Sequence, residues 1–253
     1  MSISLDDVPE AARTAWVRLR DELPLILRDD LVALWAHGGT TFPDRPRRSG
    51  DLDTYAIVDR APDERTVRRI DEAHAEIARD NGVEWDAWYV LAGDARRRER
   101  PHHAFREGRR DESWGIERAH WHAGQYVSLH GRAPDEIVLA PTPAEIDLDL
   151  RGELDHLERH VAAGDDDSFE ATYAMFNGSR ILHALETGNV VISKRSAGAW
   201  ALEHLPERWH AAIHAAGRAY DGEATPDDAE VLRITMAPFV AMVRTQMPTI
   251  RGG

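Results

Sequence analysis

The sequence predicts an α+β fold in two parts: a mixed-sheet half, residues 1–148, followed by an all-helical half, residues 149–253. Three observations predict it. The first half alternates segments of helical periodicity with short apolar runs rich in β-branched and aromatic residues. The second half is one amphipathic helical segment after another. The change of character falls at "PTPAEI", which places Thr142 as an N-cap, Pro143 in the first turn and Glu145 at the capping-box position. A chain of 253 residues has room for two such domains.

The elements follow in order. Over about residues 8–28, Ala12, Trp16, Leu19, Leu23 and Leu27 fall on one helical face. "DDLVALWAHGG" is a strand that runs into a glycine pair, and "GDLDTYAIV" is a second strand. "PDERTVRRIDEAHAEIARDNG" opens on Pro and acids and closes on Asn81-Gly82, which is helix start and stop chemistry. "VEWDAWYVLAG" is a third strand. The charged stretch Asp94 to Gly115 lacks apolar periodicity and is expected to be a long loop, with a lid as its candidate role. "IERAHWHAGQYVSLHG" is expected to be helical up to Gly131. Helices then follow at about 143–163, 167–187, 194–204, 206–220 and 226–246, joined by short segments that mostly carry Gly or Pro.

Composition narrows the function classes. The net charge of -14 argues against a nucleic-acid partner and suits a cationic small molecule. With no cysteine, disulfides, zinc ribbons and thiol catalysis are excluded. No window approaches the roughly 18 apolar residues of a membrane span. The opening "MSISLDDVPEAARTAW" lacks the basic and apolar regions of a signal peptide, so a cytoplasmic protein is expected. Lys194 is the single lysine among 31 basic residues, and a lone lysine suggests a role that arginine fills badly, such as a compact charge on a phosphate.

The chemistry is concentrated in "HGGTTFPDRPRRSGDLDTYAIV". Asp51 and Asp53 are i and i+2 on a strand, so both carboxylates point to one face about 6.6 Å apart along the chain. Two such charges repel, and a divalent cation between them resolves the conflict. Mg²⁺ takes one or two carboxylates and draws its other ligands from water and substrate phosphates. Upstream, Gly38-Gly39 permits close backbone approach to a phosphate, and Thr40 and Thr41 add hydroxyls. "HGG...SGDLDTYAIV" resembles the signature of the nucleotidyltransferase superfamily, the DNA polymerase β-like fold. That resemblance implies a third carboxylate on a neighbouring strand. Glu84 and Asp86 in "VEWDAWYVLAG" are again i and i+2. Asp86, set inside an aromatic run, is the stronger candidate for metal ligand and general base, and Glu84 is the alternative.

The second half is more specific. "SFEATYAMFNGSRILHALETGNVVISKRSAGAWALEHLPERWHAAIHAAGRAYDGE" resembles the helical C-terminal domain of the aminoglycoside adenylyltransferases that modify streptomycin and spectinomycin. The resemblance implies ATP as co-substrate, Lys194 and Arg180 on its phosphates, and an acidic acceptor side at Asp166 and Glu170, with Tyr173 one turn on. It also implies a tryptophan against streptomycin, for which Trp114 is the nearest candidate. The segment around Trp114 and the Gly38-Gly39 pair depart from the family pattern, which leaves the acceptor open between the 3″-hydroxyl of streptomycin and the 9-hydroxyl of spectinomycin. The expected protein is a monomer that transfers AMP to a cationic antibiotic with Mg²⁺ and confers resistance. The alternatives are the same chemistry on another small molecule or a protein side chain, and a non-catalytic nucleotide-binding descendant. His102, His103, His120 and His122 do not read as a zinc site: adjacent histidines in an Arg-rich loop are usually solvated, and His120 and His122, i and i+2, do not face each other on a helix.

Overall fold

A computed structural model describes residues 2–44, 51–164 and 168–247. The chain divides into two compact units, with the break between Thr142 and Pro143. In the first, α1 (Glu10–Leu27) leads into β1 (Leu31–His37), β2 (Asp51–Val58), α2 (Glu64–Asn81) and β3 (Glu84–Leu91). A short α3 (Ala92–Ala95), α4 (Trp114–His122) and β4 (Val127–Gly131) complete it.

Among the described residues the sheet has four strands in the order β3-β2-β1-β4. β1 pairs antiparallel with β2 and β4, while β2 and β3 run parallel across the α2 crossover. That mixed sheet is the expected one. Alternation then sorts its side chains onto two faces. Leu34, Ala36, Leu52, Ala56, Val58 and Tyr89 pack with Trp16, Leu19 and Leu23 of α1 and Ile70 and Ile77 of α2. Trp35, Tyr55, Ile57 and Val90 pack with Trp114 and Trp121 of α4 on the other.

α2 begins as the sequence predicts, with the Asp63 carboxylate accepting from Thr66 N at 2.8 Å, and ends at Gly82. The helix expected through Gly131 is corrected. α4 stops at His122, Gly124 turns the chain, and Val127–Gly131 becomes the strand β4 on the edge of β1. Val127 and Leu129 are buried on the α1 face, and pairing with an open strand edge outweighs a weak local helical preference.

The second unit is helical: α5 (Pro143–Ala163), α6 (Ser168–Thr187), α7 (Lys194–His204), α8 (His210–Tyr220) and α9 (Pro226–Gln246). α6 is its centre, buried nearly all round from Ala171 to Ala184, and a helix apolar on every side belongs in a core. Gly178 lets α9 approach, since a Cβ there would lie 2.7 Å from Phe239 Cε1. Arg244 of α9 grips Glu158 and Asp155 of α5. α9 opens on a capping box between Thr225 and Asp228, and Asp228 also pairs with Arg218 of α8.

Candidate active site

β1 delivers its last residue, His37, directly opposite Asp53 of β2. The chain then turns through Gly38 at φ +81° into a 3₁₀ turn, Gly39–Thr41. Glycine is required at 38 on two counts. The left-handed backbone disfavours any side chain, and a Cβ would overlap the Asp53 carboxylate, lying 2.7 Å from its Cγ. The turn is fixed from within by Thr41 Oγ1 donating to Gly38 O at 2.7 Å, and from outside by Gln125 Nε2 donating to Thr41 O at 2.7 Å. Thr40 Oγ1 is buried with no hydrogen-bond partner among the described residues, a polar atom suited to a ligand.

The parallel register of β2 and β3 pairs Asp51 with Glu84 and Asp53 with Asp86. Four carboxylates therefore share one face at the start of two adjacent strands. Asp51, Glu84 and Asp86 are exposed and Asp53 is partly buried. Burial pushes the Asp53 carboxyl up to about 6. His37 opposes that rise, while Glu117, Asp86 and Asp51 add to it by repulsion.

Glu117 and His37 are the functional residues that sequence reasoning missed. Glu117 of α4 pairs with His37 Nδ1 at 2.9 Å. Burial by itself lowers the imidazole, but attraction from Glu117, helped by Asp53 and Asp111, outweighs it and holds His37 at about 9. A cation is thus built in beside the acidic cluster. Asp111 is a second missed group, buried and accepting from the Tyr55 hydroxyl and from Ser113 N. The available signal was weak: His37 directly precedes the glycine pair, but Glu117 and Asp111 resemble ordinary surface acids in a charged stretch.

The segment proposed as a lid is instead pinned to the domain. His102 bridges Arg110, His103 N donates to Arg109 O at 2.8 Å, and Ala104 N donates to Tyr89 O at 2.7 Å. His103 is buried, and burial with repulsion from Arg106 depresses it to about 4. Its Nδ1 receives Arg106 N at 3.2 Å, so it serves the loop's structure. Trp114 is also elsewhere than expected. It is 0% exposed, between Tyr55 and Trp121 and beneath the Arg118 guanidinium, and presents no surface to an acceptor. Trp114 and Trp121 are seven apart, one helical face, which was the sequence signal for a core residue.

In the helical unit, Lys194 is the first residue of α7, behind an N-cap Ser193 that accepts from Ser196 N at 2.9 Å. Its ammonium lies over the rings of Tyr173, 5.1 Å from the centroid, and Tyr220, at 5.9 Å. Arg180 of α6 is half-buried, its guanidinium 3.4 Å from Asn177 Oδ1. Glu170 pairs with His160 Nδ1 at 3.3 Å. Asp166 lies outside the described residues.

Among the described residues no group of three or more His, Asp or Glu is gathered closely enough to hold a metal unaided. That excludes a preformed zinc-type cage. An all-oxygen pair of carboxylates beside a phosphate-binding turn still fits Mg²⁺, which fills its remaining positions with water and substrate oxygens.

Residues 150–245 match the family model described as aminoglycoside adenylyltransferase, C-terminal domain. Over these residues, the chain is similar to that C-terminal domain. No curated protein sequence matches the chain. Among solved structures, the spectinomycin adenyltransferase AAD(9) from Enterococcus faecialis, determined with ATP and spectinomycin, superposes with a TM-score of 0.73. The match covers 91% of this chain and 98% of that one at 14% identity, which establishes a shared α+β fold. The matched stretch spans α6 to α8 whole, and with them Glu170, Tyr173, Arg180 and Lys194.

Proposed function

We propose that the protein transfers AMP from ATP to a hydroxyl of an aminoglycoside-type antibiotic, streptomycin or spectinomycin, releasing pyrophosphate and conferring resistance. The observation that carries this reading is the adenylyltransferase match over residues 150–245. The acidic cluster at the start of β2 and β3 supports it, because it supplies the groups the reaction needs. In this reading residues 1–148 are the nucleotidyltransferase domain and residues 149–253 bind ATP and acceptor. The protein acts as a cytoplasmic monomer with no nucleic-acid or membrane partner. Among the described residues no helix is long and apolar enough to cross a membrane.

Asp86 takes the proton of the attacking hydroxyl, with Glu84, two residues back on the same strand, in reserve. The hydroxyl oxygen bonds to the α-phosphorus as the bond to the bridging oxygen of pyrophosphate breaks. Asp51, Asp53 and Asp86 would hold Mg²⁺, which when bound neutralises charge on the triphosphate and its leaving group. Gly38, Gly39 and Thr40 offer backbone and hydroxyl groups to phosphate oxygens, and Lys194 adds a cation at a helix N-terminus, where the peptide dipoles also favour anions. Arg180 is the second cation. Asp166 and Glu170 attract the cationic acceptor. Catalysis of this kind is mostly positioning and charge neutralisation.

The test is mass spectrometry of streptomycin and spectinomycin, separately, after incubation with the protein, ATP and Mg²⁺, with Asp53→Asn beside each. A gain of one AMP with the wild-type protein only is expected. Bound ATP with neither drug modified would remove the antibiotic acceptor.

A further inference from the structure

Tyr173 is positioned unlike a residue that waits for an acceptor. It is partly buried in the helical unit, against side chains of α5 and α7. Burial, with repulsion from the Glu153 carboxylate of α5, pushes its ionisation well above the ordinary tyrosine range. His156, one turn from Glu153, meets the ring edge-on with centroids 5.8 Å apart. The ring face carries the Lys194 ammonium at 5.1 Å, within cation–π range. The same ammonium also lies 5.9 Å from the ring centroid of Tyr220, at the end of α8.

A lysine side chain is otherwise costly to hold in one place, because its four-carbon stem has many rotamers. An aromatic face restrains the ammonium without neutralising it.

We propose that Tyr173 is a positioning residue for the nucleotide, which seats Lys194 for the triphosphate. The inference rests on the reading of Lys194 as a phosphate ligand, and it moves Tyr173 from the acceptor side to the nucleotide side. It requires the aromatic face and not the hydroxyl. Tyr173→Phe therefore keeps wild-type affinity for MgATP, while Tyr173→Leu weakens it by roughly threefold to tenfold.

The experiment is calorimetric titration of MgATP into the wild-type protein, Y173F, Y173L, K194A and the Y173L/K194A pair, with thermal unfolding of each. The expected result is a cycle that is not additive: Y173L weakens binding in the wild-type background and changes nothing once Lys194 is gone. Additive losses, equal losses in Y173F and Y173L, or tighter binding in Y173L would each overturn the proposal. Should Y173L not fold, Tyr173→Met fills the space without an aromatic face and carries the same expectation. If the wild-type protein fails to bind MgATP, the functional reading falls and this inference with it. Normal wild-type binding with an unaffected Y173L removes only the inference.

Discussion

The acidic end of the sheet and the cationic start of α7 hold their charges by opposite means. At the sheet, strand register crowds Asp51, Asp53, Glu84 and Asp86 onto one face, and burial raises Asp53 to about 6. The domain answers with an internal counter-charge, the His37 imidazolium, which Glu117 holds in place. In the helical unit, Lys194 rests on the rings of Tyr173 and Tyr220. Crowded like charges are tense until a cation arrives, whereas a cation on neutral ring faces is restrained at little electrostatic cost. A site made from strands therefore trades stability for function, and a site made from helices trades much less.

The largest effect expected from this contrast is at Asp53. Asp53→Asn should lower AMP transfer by roughly 10³-fold, as loss of a group that stabilises transition-state charge does. Because folding disfavours the ionised Asp53, the same change should leave the thermal midpoint equal or higher. Pyrophosphate release and a melting curve check both, and a variant that is active but less stable would break the comparison.

Next comes Trp114. Truncation to Ala removes a fully buried ring and should cost about 3–5 kcal/mol in denaturant unfolding. A residue that contacted the acceptor would instead leave stability alone and change KM for the antibiotic.

The third effect is a pH dependence confined to the sheet unit. His74 is buried against Trp85 and hydrogen-bonded to the Tyr89 hydroxyl at 3.0 Å. Burial, aided by Arg106, lowers it from 6.5 to about 4. The unfolded chain thus binds a proton that the folded one refuses between those values, and stability from this group falls as pH drops from 6.5 to 4. The depression corresponds to about 3 kcal/mol. Asp53 and His37 titrate in the same unit with the opposite sign, so the useful quantity is a difference between variants. His74→Gln should gain about 3 kcal/mol relative to wild type on going from pH 7 to pH 4. The helical unit behaves otherwise. Asp228 is held below the ordinary aspartate value by the Arg218 guanidinium and the Thr225 backbone, so its contribution is lost only in stronger acid.

The smallest effect is Gly178→Ala on α6. The added methyl meets Phe239 at 2.7 Å and should cost about 1–3 kcal/mol by overpacking, with MgATP affinity unchanged. A loss of affinity comparable to the loss of stability would show that α6 cannot shift without moving Lys194.

Most of the architecture was legible in the sequence because it is written locally. Period 3.6 and period 2, the Asp63 cap and the Thr225-Pro226 start each act within a few residues. Asp51 and Asp53 stood out for the same reason, since alternation alone places both on one face. Lys194 was visible as the lone lysine at a helix start. β4 was not legible, because Val127–Gly131 is short and becomes a strand only when β1 offers an edge. Trp114 was read as a ligand contact, although its spacing from Trp121 matched a core face.

What the sequence determined alone was which residues could carry charge and on which face of its own element each would lie. What only the tertiary structure decided was which charges meet. His37 finds Glu117 across eighty residues of chain, Tyr55 finds Asp111, and Tyr173 receives Lys194 from the next helix. Face and cap depend on neighbours a few positions away. A buried ion pair or a cation on a ring depends on strand register and helix packing, which exist only after the whole unit has folded.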